Sequence, residues 1–178
     1  NFSLLKKNVE ANGYKNVVVE QKAVADQKGK IKLYLGNDER NTEHSIVRNR
    51  DTTEQYFEVD SVILDDYFKD KSVDFIKMDI EGAEHYAVLG MQKLLKGSKN
   101  VKMALEFTPP FLKGLGIAPE EHLHLLQGLG FTISNINEQN KILEDFEPER
   151  IPIYLRRGWE GSISTNIWCS KERSKISP

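Results

Sequence analysis

The chain has 178 residues and a formal charge of −2, a length that suits a single domain spanning 1–178 with a sizeable core. Hydrophobic residues at 39% and charged residues at 29% exclude a disordered or fibrous polypeptide, and the near-neutral charge argues against nucleic-acid binding through bulk electrostatics. Cys169 is the only cysteine, so no internal disulfide can form and a reducing, cytoplasmic setting is expected; no apolar stretch is long enough for a membrane span.

An amphipathic helix is expected at the start, where Phe2, Leu5 and Val9 share a face and Asn12-Gly13 forms a stop. Neither a cap nor a strand precedes it, so the chain is expected to be a fragment that begins inside a longer protein. Val17-Val18-Val19 and Ala23-Val24-Ala25 read as a buried strand ending at Asp26. After a turn at Asp26-Gln27-Lys28-Gly29, Ile31, Leu33 and Leu35 alternate with Lys32 and Tyr34 as a half-buried strand, and the pair resembles a hairpin. Residues 36–53 are polar, contain Asn41, Thr42, His44 and Ser45, and are long enough to suggest a lid or substrate loop.

Phe57, Val59, Val62 and Leu64 form the next strand, and Asp65-Asp66-Tyr67-Phe68 a short helix start. The stretch that follows organises the chain. Phe75, Ile76 and Met78 read as a strand covered on both faces, Asp79 and Glu81 stand where it ends, and Gly82 permits a sharp turn. From Ala83 the apolar spacing becomes helical, with Ala87, Met91, Leu94 and Leu95 on one face and Gly97 as the stop. Two acids at the carboxyl end of a strand occupy the edge where open α/β sheets bind ligands. Acids also favour the positive end of a helix, so Glu81 and Glu84 have a plain alternative as helix-start residues. Asp79 follows the apolar run directly and is expected to be partly desolvated.

Val101, Met103, Leu105 and Phe107 make a further strand with Glu106 near its end, and Thr108-Pro109-Pro110 predicts an extended exit. Pro119 opens a helix with Leu123, Leu126 and Leu129 on one face, on which His122 and His124 read as structural or exposed. Phe131, Ile133 and Ile136 form a strand, residues 151–159 a loop, and Ile163, Thr165, Ile167 and Cys169 a last strand, antiparallel at or near an edge. The alternation predicts an α/β fold: a doubly wound, mainly parallel sheet of Rossmann-like type with an antiparallel strand near the C-terminus.

Phe75-Ile76-Lys77-Met78-Asp79-Ile80-Glu81-Gly82-Ala83-Glu84, followed by Val88-Leu89-Gly90, resembles the signature of the FkbM family of S-adenosylmethionine-dependent methyltransferases. Leu4-Leu5-Lys6-Lys7-Asn8, Ala23-Val24-Ala25-Asp26 with Gly29, and Val62-Ile63-Leu64-Asp65-Asp66-Tyr67 resemble further segments of that family, covering most of residues 1 to 135. Such enzymes are expected to open with a strand and a glycine-rich cofactor turn, then a strand ending in a ribose-holding acid. Neither occurs in this sequence. That strand-helix-strand unit needs roughly 30 or more residues, so an incomplete cofactor pocket and an exposed sheet flank are expected.

The resemblance implies S-adenosylmethionine as cofactor and O-methylation of a hydroxyl on a small-molecule or glycan acceptor. A positioned base contributes about 10²–10⁴-fold to such a step. The resemblance puts Asp79 at the strand end facing the transferred methyl group, where it could orient the hydroxyl, act as base or contact the cofactor's amino group. Glu81 shares its loop, Glu106 can line the same crevice, and His85 is a candidate base. Ala23 and Asp26 are placed beside the adenine. Alternatively, Asp79 and Glu81 form a metal-binding pair of a sugar-nucleotide transferase or phosphatase, though two acids are too few ligands to assign a metal, or the fold is a degenerate, non-catalytic module.

Overall fold

Backbone pairing sorts the strands of this computed structural model, which describes residues 1–37, 44–48, 52–146 and 164–171, into two sheets. After helix α1 (Phe2–Ala11) come β1 (Ala23–Val24), β2 (Gly29–Gly36) and β3 (Thr52–Val62), which pair in the order β1-β3-β2. The chain continues through α2 (Leu64–Tyr67), β4 (Phe75–Met78), α3 (Glu84–Leu89), α4 (Gln92–Gly97) and β5 (Lys102–Phe107). Helices α5 (Pro109–Gly114) and α6 (Pro119–Gly128) follow, then β6 (Thr132–Asn137), β7 (Ile142–Asp145) and β8 (Thr165–Ser170). The second sheet is ordered β4-β5-β8-β6-β7.

The fold is mixed α/β, and the expected mainly parallel sheet is corrected in its pairing. Among the described strands β1/β3 and β4/β5 are parallel, whereas β2/β3, β5/β8, β6/β8 and β6/β7 are antiparallel. Strands β4, β5 and β6 still point one way, because β8 runs between β5 and β6 in the opposite sense. The late strand is thus interior rather than at an edge. Cys169 is flanked by Met103 on one side and Ile133 on the other, and all three are buried. The β6-β7 hairpin was not foreseen from the sequence.

The core lies over this sheet. Val101, Met103, Leu105 and Phe107 are buried on β5 or just before it, facing Ala87, Val88, Met91, Leu94 and Leu95 and the α6 leucines Leu123 and Leu126. Each such Leu or Met side chain contributes about 1.5–3 kcal/mol on burial. The predicted single helix is broken at Gly90-Met91 into α3 and α4. A side chain on Gly90 would lie 2.3 Å from the Ala25 carbonyl oxygen, so the close approach of two backbones requires glycine there. Asp65 then caps α4 from a distance in sequence, accepting the Leu94 amide at 2.8 Å and the Lys93 amide at 3.1 Å.

Several expectations fail for tertiary reasons. Val18 is 79% exposed and the first strand shrinks to Ala23–Val24, the residues that reach β3. Valine favours strands where it has a surface to pack on, and Val17 and Val18 have none. Strand β3 separates β1 from β2, so these two do not form a hairpin. Pro109 and Pro110 occupy the first turn of α5 rather than an extended exit, a position where proline's missing amide costs nothing. Strand β4 has β5 as its one neighbour among the described residues, and Phe75 is 54% exposed against Trp168, so it is not covered on both faces. The predicted lid at residues 36–53 lies partly outside the described residues, as does the loop at 151–159 entirely. Its described part is anchored: His44 Nδ1 accepts the Gly36 amide at 3.0 Å, Ser45 bridges to Tyr34, and Val47 is buried.

Candidate functional site

Parallel pairing of β4 with β5 sets the register Met78 to Leu105. The next residues along each strand, Asp79 and Glu106, therefore emerge side by side at the carboxyl end of the sheet. Glu81 joins them from the loop, and an oxygen from each of Asp79, Glu81 and Glu106 lies within 4.8 Å of the others. Three candidates singled out from the sequence are thus brought together. Hard oxygen ligands so disposed are the type that could hold a divalent cation.

The loop geometry is strained in a way that aims these groups. Glu81 has φ 56° and Gly82 φ 95°, both left-handed, and a side chain on Gly82 would meet the Phe111 ring at 2.8 Å. The turn is held from two sides. Ser45, buried at 1% exposure, donates its hydroxyl to the Glu81 carbonyl at 2.6 Å and accepts the Val47 amide at 2.9 Å. The Glu84 carboxylate reaches back to accept the Ile80 amide at 2.8 Å.

Asp79 is not desolvated as expected. Its side chain is 56% exposed, and Lys77 Nζ lies 3.2 Å from Oδ2. Glu106 is half-buried, and burial together with the Asp79 charge holds its carboxyl above the usual range, against the opposing influence of Ser164, Thr108 and Lys77. Burial pushes Glu84 to about 7, with the Glu106 charge adding to the effect and backbone amides opposing it. Asp79, Glu106 and Glu84 thus form a carboxyl series running inward from the rim.

The other candidates stand apart from this cluster. His85, the candidate base, is buried on α3 with its Nδ1 3.3 Å from Nδ1 of His122. Desolvation lowers its pKa, partly offset by the Glu121 and Asp26 charges. Asp26 is exposed just beyond β1, within electrostatic reach of His85, and Ala23 is half-buried in β1 opposite Ser61. His124 is exposed, but His122 is buried at 1% exposure and depressed to about 3 by desolvation and by His85. Glu84, Ser45, Thr108 and His122 brace or line the candidate site, and the sequence did not single them out for that part. For Glu84 a signal existed, since an acid in the first helical turn can accept a free amide of the entering loop.

No helix among the described residues is long and apolar enough to cross a membrane. The sequence model of the methyltransferase FkbM domain matches residues 1–133. No curated protein and no solved structure matches the chain.

Proposed function

Since this chain belongs to the FkbM methyltransferase domain family, we propose that it is an S-adenosylmethionine-dependent O-methyltransferase acting on a hydroxyl of a sugar, glycan or small natural product. The observation that carries this reading is the convergence of Asp79, Glu81 and Glu106 at the carboxyl end of β4 and β5. The residues suit the cofactor: a cluster of carboxylates complements a ligand whose reacting centre is a cation. When bound, S-adenosylmethionine supplies an electrophilic methyl group on sulfonium sulfur. Asp79 and Asp26 would hold it with Ala23 beside the adenine; the close packing of Gly90 on Ala25 and Asp26 fixes that strand end.

The chain's own residues then deal with the acceptor. Its hydroxyl must be aligned in line with the breaking bond, which supplies much of the acceleration, and must give up its proton. Asp79, exposed at the rim, accepts a hydrogen bond from the hydroxyl and orients it. Glu106, one strand over with its proton affinity already raised, takes the proton. Lys77 offsets the negative charge so that these acids can stand together. A second reading is favoured by the same three carboxylates, which offer the oxygen set of a metal-dependent sugar-nucleotide transferase.

Calorimetric titration of the full-length protein with S-adenosylmethionine, followed by transfer of a labelled methyl group to saccharide and natural-product hydroxyls, tests the proposal. Heat on binding and label on an acceptor oxygen are the expected results. No heat at millimolar cofactor and no label on any acceptor would overturn it, and turnover of a sugar nucleotide that depends on a divalent cation would favour the second reading.

A further inference from the structure

Behind the rim, Gly82, Glu84, Glu106, Phe107, Thr108 and His122 line a small, partly open cavity. The space open to the centre of a water molecule is about 10 Å³, enough for one water and no more. Three polar atoms belonging to its lining are buried without a hydrogen-bond partner among the described residues: Glu106 Oε2, Thr108 Oγ1 and His122 Nε2. Thr108 lies close enough to Glu106 to favour its ionised form, yet the two do not meet with hydrogen-bond geometry. Orphaned polar atoms inside proteins are rare, and buried waters typically have two to four polar partners.

We propose that one internal water molecule occupies this cavity and joins Glu106, Thr108 and His122, making His122 a positioning residue for the rim carboxylate. Water suits the three partners because it both donates and accepts. An ionised Glu106 accepts only, the Thr108 hydroxyl can do either, and the role of His122 Nε2 depends on its tautomer. That tautomer is set on the far side of the ring. In the contact between Nδ1 of His85 and Nδ1 of His122, one nitrogen carries the proton and the other accepts it. If His85 donates, His122 has its proton on Nε2 and presents it to the water; if His122 donates, Nε2 accepts from the water. The His122 ring is held by stacking on Phe107 at 6.2 Å, so the water and the carboxylate behind it have a fixed reference. The charged groups that bear on this chain are Asp79 and Lys77 toward Glu106, Glu106 toward Glu84, and Asp26 and Glu121 toward His85.

The catalytic consequence rests on the methyltransferase proposal, but the water itself does not. A water-resolving crystal structure of the full chain should show one ordered molecule within hydrogen-bond distance of the three atoms; absence of that density overturns the proposal without any variant. Two variants separate the faces of the ring: His122→Asn keeps a polar group toward His85 and loses the one at the cavity, and His122→Gln does the reverse. Titration of the Glu106 carboxyl carbon by NMR is the readout that needs no activity. Loss of the water that donates to the carboxylate, once its anchor at Nε2 is gone, should raise the midpoint by about one pH unit in His122→Asn, a tenfold change in proton affinity, and leave it near wild type in His122→Gln. Equal midpoints in both variants and the wild type overturn the proposal. A shifted midpoint in a protein that transfers no methyl group supports the water and defeats only the methyltransferase proposal, whereas a pH–rate profile that moves with it supports both.

Discussion

The Glu84 carboxylate closes the acid-bearing loop by accepting the Ile80 amide at 2.8 Å while itself only 4% exposed. A carboxyl raised from 4.5 to about 7 binds its proton more tightly in the folded than in the unfolded chain. Its contribution to stability is therefore fully present below pH 4.5 and is lost as pH rises to about 7. The loss is on the order of 3 kcal/mol. Glu84→Gln keeps an acceptor for Ile80 and removes the titration. Urea unfolding at pH 4.5 and pH 8 should show the variant gaining on wild type at the higher pH; identical pH dependence of the two proteins would contradict this account.

Glu81 holds a left-handed φ of 56° that a glycine would adopt without strain. Glu81→Gly should raise stability by about 1 kcal/mol, roughly 3 °C in melting temperature. Activity should fall in the same variant, because one carboxylate of the rim is gone. A melting point lower than wild type by scanning calorimetry would show that the loop is not strained.

At Gly90 the direction reverses. A methyl group there meets backbone atoms of Ala25 and Asp26, which cannot swing aside as a side chain tip would. Gly90→Ala should cost about 2 kcal/mol or more and, on the proposed function, weaken S-adenosylmethionine binding by displacing Asp26. Denaturant melts and calorimetry report the two effects separately.

Ser45 ties a distant segment to the site through the Glu81 carbonyl. Ser45→Ala removes the hydroxyl that the Glu81 carbonyl accepts and leaves the buried Val47 amide short of a partner, which should cost about 1–3 kcal/mol. Hydrogen exchange of the amides from Ile80 to Ala83 should quicken in the variant. Unchanged exchange there would mean that Ser45 does not hold the loop.

For the reaction itself, Asp79→Asn and Glu106→Gln distinguish orientation from proton transfer. Glu106→Gln should lower kcat by about 100-fold or more at saturating acceptor, while Asp79→Asn should act on KM as well. Steady-state transfer of a labelled methyl group decides this, and a Glu106→Gln enzyme with wild-type kcat would remove Glu106 as the base.

The β5 strand and the buried helix face of Ala87, Met91, Leu94 and Leu95 were legible because alternation and helical spacing are local signals. Asp79, Glu81 and Glu106 were legible as candidates, since each stands near a strand end. Their convergence depends on the parallel register of β4 and β5, which no single stretch of sequence encodes. The same limit hid the interior position of β8 and the meeting of His85 with His122 across two helices, both decided by packing between distant segments. Val17 and Val18 misled in the opposite sense: a β-favouring composition does not create a neighbouring strand.

The thiol of Cys169, enclosed between two strands and pushed by burial up to about 12, is almost entirely uncharged at neutral pH and out of reach of electrophiles. The folded protein should accordingly give no background with maleimide dyes, so a cysteine introduced on the surface can be labelled alone. Any slow reaction of the native thiol then serves as a clock for opening of the sheet.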